Sequence, residues 1–148
     1  MPRTQEADFP ALAARIPDPE VGALFTFSFL HVSEIFDDLV DAASAEILRR
    51  AGAWPVARGT RPAGLVAARG WAPRSLPLVA FVHGKLAAAG HLVATGGTYS
   101  PTGTEPGNLE ALEAELAAAE PDAAVAGEAV RILVEEAGLF LTGEKTGE

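Results

Sequence analysis

The 148-residue chain contains no cysteine, which excludes disulfide bonds, zinc sites built on cysteine and thiol catalysis. Aromatic residues make up only 7% of it, so alanine, leucine and valine must form most of the core. No apolar stretch approaches the roughly 18 residues of a membrane-spanning helix, because proline, glycine and charges interrupt each one. The first ten residues are polar and acidic and predict no signal peptide. We therefore expect a cytoplasmic protein without membrane contact.

Acidic residues are also missing from the whole middle of the chain. Residues 49–104 contain seven Lys and Arg and no Asp or Glu, whereas the net charge is −7 over residues 1–48 and −9 over residues 105–148. A basic middle between acidic flanks predicts either a site for a polyanion or pairing of the middle with the flanks. The formal net charge of the chain, −9, disfavours binding to nucleic acid.

A long periodic segment fills the first third of the chain. Apolar residues between positions 21 and 47 recur at the i, i+3, i+4 and i+7 positions of one helix face. This spacing predicts a helix over 20–50, which Gly52 is expected to end. The same spacing predicts a shorter helix over 9–16.

Glycine and proline divide the rest of the chain into short elements. A connector over 53–62, with a short strand at Val56–Ala57, precedes two helices that each begin at a proline and end at a glycine. A hairpin around Gly96–Gly97 and two further helices follow. The expected bounds are 62–70 and 73–90 for the glycine-ended helices, 91–101 for the hairpin, and 109–121 and 125–138 for the last two helices, with a frayed polar tail after them.

The order of helix, short helix, longer helix and hairpin over residues 39–101 is that of a winged helix-turn-helix. Four stretches within it resemble the small N-terminal dimerisation domain of S-adenosylmethionine-dependent O-methyltransferases. They are Ala63–Gly70, Ala72–Leu76, Leu86–Leu92 and Gly96–Thr102. The resemblance implies a dimerisation or adaptor module without catalysis, because the Glu/Asp-x-Gly-x-Gly-x-Gly motif of the cofactor-binding half of those enzymes is missing from this chain.

The same order of elements is similar to that of MarR-type transcription regulators, whose second motif helix lies in the DNA major groove with a polar, basic outer face. In this chain that helix is apolar on most sides, which favours burial against another helix or subunit. The basic residues around the motif keep DNA binding as the alternative. The candidate contacts to DNA or to a protein partner are Arg58, Arg61, Arg69, Arg74, His83, Lys85 and Tyr99.

The other sets of polar side chains predict no metal-binding, phosphate-binding or catalytic site. His31, Glu34, Asp38 and Asp41 have the spacing of metal ligands on one helix, but one helix supplies too few ligands, so a solvated acidic face is expected. No Gly-Lys-Ser/Thr or Gly-x-Ser-x-Gly motif is present, so neither a phosphate-binding loop nor a nucleophilic serine is predicted. We predict no catalytic, cofactor-binding or metal-binding residue, and no cofactor.

The sequence thus predicts one mostly helical domain over residues 1–148. N-terminal helices occupy 1–50, the helix-turn-helix and its hairpin wing occupy 51–104, and C-terminal helices with a frayed tail occupy 105–148. The leading interpretation is a homodimer that serves as a dimerisation or adaptor module for a protein partner or a catalytic domain. The alternatives are a MarR-like DNA-binding regulator and a small-ligand binder with a pocket between the phenylalanine-rich first helix and the motif.

Overall fold

Five α-helices and one β-hairpin make up the part of the chain that the structure describes. The computed structural model describes residues 15, 17–20 and 27–144. The predicted helix over 9–16 falls almost entirely outside these residues, and so do positions 21–26 of the predicted long helix. The elements are α1 (Phe27–Arg50), α2 (Pro62–Arg69), α3 (Leu76–Ala88), β1 (Leu92–Thr95), β2 (Thr98–Pro101), α4 (Leu109–Ala119) and α5 (Ala124–Thr142), with 3₁₀ turns at Pro73–Ser75 and Pro121–Ala123.

Three of the helices end at a glycine, as predicted. Gly52, Gly70 and Gly90 have φ angles of +73°, +65° and +84°. At each end, the N–H of the glycine and the N–H after it donate back to carbonyl oxygens of the last helical turn. This arrangement needs a residue in the left-handed region, which glycine adopts without steric cost from a Cβ atom. The ends of α1, α2 and α3 are therefore set by the sequence itself.

The hairpin turn is the predicted Gly96–Gly97 pair. β1 and β2 run antiparallel with Thr95 opposite Thr98. Both glycines have positive φ angles, as a type I′ turn requires. The predicted hairpin is confirmed.

The connector before α2 meets the hairpin at Thr60 and not at the predicted strand Val56–Ala57, so that prediction is wrong. The N–H of Thr60 donates to the carbonyl oxygen of Tyr99 at 2.9 Å. The N–H of Tyr99 donates to the carbonyl oxygen of Thr60 at 2.8 Å. Val56 is buried in the core instead, and the chain turns at Gly59, whose φ is +74°. One isolated bridge thus adds a third segment beside the hairpin.

Helix α5 continues past Gly138, where the sequence predicted its end. It ends at Gly143, whose φ is +86°, whereas Gly138 has an ordinary helical backbone. The reason is tertiary packing of the last helical turn. Leu141 is buried, and its carbonyl oxygen accepts a hydrogen bond from the N–H of Ala72 at 2.7 Å. This contact ties the last helix to the turn before α3.

Helix α1 lies at the centre of the molecule, since it packs against α3, α4 and α5. Its first half forms a core with α4 through Ile35, Leu39 and Leu116. Its second half forms a core with α3 and the hairpin through side chains that include Leu48 and Leu86. A third cluster joins α2, α3 and the end of α5. Side chains of α1 contribute to all three clusters, so α1 connects them.

The predicted fold class is confirmed at the level of a mostly helical domain with a small two-stranded antiparallel sheet. No helix among the described residues is both long enough and apolar enough to cross a membrane.

Candidate interaction surface

The outer face of α3 is apolar. Val79, Val82, His83 and Leu86 point into the core, so the opposite side of the helix meets solvent. That side carries Pro77, Ala80, Phe81 and Ala88, all exposed; the side chain of Phe81 is 57% exposed. A helix that enters the DNA major groove presents polar and basic side chains there. The geometry of α3 therefore suits contact with an apolar surface.

A groove of about 640 Å³ runs between α3 and α5 with α1 as its floor. Small or medium side chains of α1 line the floor, whereas large apolar side chains form the walls. The floor is Val40, Ala43, Ser44 and Ile47, and the walls include Leu78, Phe81, Leu133 and Phe140. The hydroxyl of Ser44 is already used, since it donates to the carbonyl oxygen of Val40 at 2.8 Å. Glu136 of α5 lines the groove as well, and the other lining side chains offer apolar contact.

The side of α5 that points away from the core carries an apolar stripe, with Glu128, Glu135 and Glu136 beside it. Val125, Ile132 and Leu139 lie seven residues apart and therefore on one side of the helix, opposite the buried Val134 and Leu141. The side chain of Val125 is 71% exposed and that of Leu133, between this stripe and the groove, is 66% exposed. Exposed apolar surface of this extent on one helix is typical of an interface.

Two candidate arginines hold the ends of helices. The guanidinium of Arg69 donates to the carbonyl oxygen of Gly52, just after α1. The guanidinium of Arg74 donates to the carbonyl oxygen of Gly143, just after α5, at 2.9 Å. Helix C-termini carry unpaired carbonyl groups and a partial negative charge, so cations stabilise them. These two side chains hold parts of the fold together.

Lys85 forms a charge cluster with α1. Its ammonium lies 3.2 Å from a carboxylate oxygen of Asp37 and 3.2 Å from one of Asp41. Asp41 is buried, which corrects the prediction of a solvated acidic face at that position. Burial raises the pKa of Asp41, and the neighbouring Lys85 opposes this effect. Burial acts to lower the pKa of Lys85, but the two carboxylates outweigh it and raise that pKa above its usual value.

His83 and Tyr99 form a pair between α3 and the hairpin. His83 is completely buried, so it does not present itself to a partner, although the sequence made it a candidate contact. Its Nδ1 lies 2.7 Å from the carbonyl oxygen of Val79, and its ring centre lies 5.2 Å from that of Tyr99. Tyr99 is partly buried against the core. Both residues therefore join the hairpin to α3.

Arg69 and Arg74 are exposed but bind helix ends, whereas Arg58 and Arg61 bind no helix end in the described part of the chain. These last two arginines are exposed as well and lie on either side of Thr60, at the base of the hairpin. Neither forms a salt bridge with the described part of the chain. The seven candidates thus separate into a two-arginine surface site and five side chains that hold the fold together.

The start of the acid-free middle pairs with both acidic flanks. Arg49 and Arg50 contact Glu46 of the N-terminal flank. Arg49 also approaches Glu105 of the C-terminal flank at 4.0 Å, and the indole of Trp54 donates to the same carboxylate at 3.2 Å. With Lys85 on α1, these contacts favour the internal-pairing interpretation of the charge pattern over the polyanion interpretation.

The sequence predicted a pocket between the phenylalanine-rich first helix and the motif, where the groove lies, but it missed the wall and the outward stripe that α5 contributes. The signal was present in the spacing of Val125, Ile132 and Leu139, which adds a second apolar side to a helix that already has a buried one. Among the described residues no group of three or more His, Asp or Glu side chains is arranged to hold a metal ion.

Comparison of the chain with models of protein families finds no match, and searches of curated proteins and of solved structures find none either.

Proposed function

We propose that this chain is a winged-helix module that acts through protein contact, as a dimerisation or adaptor unit, and that it performs no catalysis. The order α1, Thr60 bridge, α2, α3 and hairpin supports the winged-helix assignment, because the bridge adds a strand-like segment before the second helix, beside the wing. The resemblance to the dimerisation domain of O-methyltransferases agrees with this assignment and favours self-association.

The observation that carries the proposal is the apolar outer face of α3. In a DNA-binding winged helix this face would need donors for base edges and phosphates. Here Pro77, Ala80 and Phe81 occupy it, and the nearby Arg74 and Lys85 are engaged within the fold. An apolar helix face is stabilised by another apolar surface.

DNA binding is the second candidate function, and the exposed pair Arg58 and Arg61 at the base of the wing favours it. A third candidate, binding of a small apolar molecule, is favoured by the groove, since its volume of about 640 Å³ lies in the usual range for ligand pockets, about 300–1,000 Å³.

The anisotropy of a labelled random-sequence DNA duplex tests the proposal against DNA binding. At about 0.15 M salt we expect no binding by the wild-type chain at micromolar concentration, because its net charge of −9 repels a polyanion. Binding that weakens with salt with a slope of about −2, and that the double change Arg58→Ala/Arg61→Ala abolishes, would instead identify a two-phosphate DNA contact. Arg131→Ala on α5 is the matched control, because it removes a cation far from the motif.

A further inference from the structure

Six large apolar side chains are exposed at the groove and on the outward stripe of α5, and we call them together the apolar face. α1 and α3 contribute one phenylalanine each beside the groove, and α5 contributes four aliphatic side chains. These residues are Phe36, Phe81, Val125, Ile132, Leu133 and Leu139, and each is at least 36% exposed. The apolar face therefore includes residues of α1, α3 and α5 that line the groove and the outward stripe of α5.

The area of the apolar face matches what a stable dimer buries. Large side chains have areas of about 150–250 Å², so six of them with exposures between 36% and 71% leave on the order of 600 Å² of apolar surface in water. A standard interface buries about 800 Å² on each partner, and about 65% of the centre of such an interface is apolar. One copy of this chain thus carries the apolar area of one side of an interface.

The shape of the apolar face is self-complementary. It contains a ridge, the side chains of α5 that point outward, and directly beside it a groove of about 640 Å³. A small ligand in the groove would leave Val125, Ile132 and Leu139 in water, because these residues lie on the side of α5 away from the core. A twofold axis, in contrast, lets the ridge of each copy cover the groove of the other, which is the isologous arrangement of most homodimers.

We propose that the apolar face binds a second copy of this chain, with α5 of each copy lying across the groove of the other. This inference rests on the proposed function, and it specifies the surface and the partner. Leu133 lies between the stripe and the groove, so in this arrangement it is close to the twofold axis.

Sedimentation velocity of the full chain from about 1 to 300 μM tests the interface. We expect a concentration-dependent species of twice 15.3 kDa, and we expect Leu133→Glu to weaken it at least about tenfold, as for a central interface residue. Val93→Glu is the matched control. Val93 is 50% exposed but lies on the hairpin, so the change adds the same charge off the apolar face and should alter the dissociation constant less than about threefold.

Cross-linking locates the twofold axis independently. Because the chain has no cysteine, an introduced cysteine is its only thiol. With a short bis-maleimide, Leu133→Cys should give a covalent dimer in high yield and Val93→Cys should not. Equal yields of covalent dimer from the two cysteine variants would overturn the proposed surface. A dimer that Leu133→Glu leaves intact would do the same. Neither result would contradict the adaptor function. A chain that stays monomeric at about 300 μM would overturn the homodimer, whether or not an apolar dye binds the groove. The DNA assay described above would still decide the proposed function.

Salt provides a further readout that separates this dimer from a DNA contact. Two copies repel each other through their net charge of −9, so screening should strengthen the dimer between about 0.05 and 0.5 M salt. Binding to DNA weakens over the same range. A dimer that dissociates as salt rises would be held by ion pairs and would contradict an apolar interface.

Discussion

His83 is a buried polar group with only one of its two ring nitrogens satisfied. Nδ1 lies 2.7 Å from the carbonyl oxygen of Val79 and must carry the proton there. Nε2 is buried and has no hydrogen-bond partner among the described residues. Burial lowers the pKa of His83, and the bond to Val79 opposes this effect only in part. The neutral ring therefore fits its site between α3 and the hairpin, and the charged ring does not.

We expect the stability of the fold to fall on acidification because of His83. The unfolded chain binds a proton near the ordinary histidine pKa of about 6.5, whereas the folded chain resists it until a lower pH. The unfolded state thus binds more protons in this window, so the free energy of unfolding decreases by about 1 kcal/mol from pH 7.5 to 5.5. Urea unfolding at several pH values measures this decrease. His83→Phe keeps a ring beside Tyr99 and should remove most of the pH dependence; an unchanged slope in that variant would contradict the assignment.

Asp41 illustrates a residue whose environment no local pattern indicates. On the helix it belongs to a run of acidic residues with Asp37 and Asp38, and such runs usually lie in water. α3 crosses α1 at this point and covers Asp41, while Lys85 supplies the charge that makes its burial tolerable. The pairing joins residues 44 positions apart, and only the packing of the two helices brings them together.

At the scale of elements, glycine has two opposite roles in this chain. Gly90 ends α3 in the left-handed region with a φ of +84°, whereas Gly138 lies within α5. A Cβ atom at Gly138 would have no atom within 4 Å among the surroundings described for it. The position therefore bears the entropic cost of a helical glycine without any steric need for it.

Gly138→Ala should stabilise the fold by about 0.5–1 kcal/mol. Alanine has a higher helix propensity than glycine, and it lowers the conformational entropy of the unfolded chain. Gly90→Ala should instead destabilise it by about 1 kcal/mol, because alanine is strained at positive φ. Thermal and urea unfolding of the two variants give both values. Destabilisation by Gly138→Ala would mean that α5 does end at that glycine, as the sequence had predicted.

These elements mark how far the sequence predicts the fold. The ends of α1, α2 and α3 and the hairpin turn follow from backbone angles that only glycine adopts easily, so a local pattern predicts them. The end of α5 does not follow in this way, because Leu141 is held by contact with the turn before α3. The groove and the apolar face depend on how α1, α3 and α5 pack. The sequence predicted a pocket between the first helix and the motif and an apolar contact with a partner, but not the part that α5 plays in either. Of the candidate contacts, the sequence could not separate exposed Arg58 from buried His83.

On the scale of the whole molecule, the acid-free middle of the chain is the structural link between two acidic segments. Arg49 and Lys85 reach carboxylates of the flanks, and Arg74 reaches the last turn of the chain's final helix. Each exposed pair contributes little by itself, about 0–1 kcal/mol. Together they connect the N-terminal, central and C-terminal parts of the chain, which would otherwise repel one another or make no contact.

The different roles of Arg74 and Arg58 give a prediction that decides what the basic segment does. Arg74→Ala removes a charged donor from the carbonyl oxygen of Gly143 and loosens the end of α5, so the free energy of unfolding should fall by about 0.5–1.5 kcal/mol. Arg58→Ala removes an exposed side chain that forms no salt bridge with the described residues, and it should change that energy by less than about 0.5 kcal/mol. Urea unfolding of both variants at about 0.15 M salt measures the two changes. If the segment served to bind DNA, both variants would unfold like the wild type and both would bind a duplex less tightly. A stability loss confined to Arg74→Ala, with no duplex binding by any of the three proteins, is the outcome that the structure predicts.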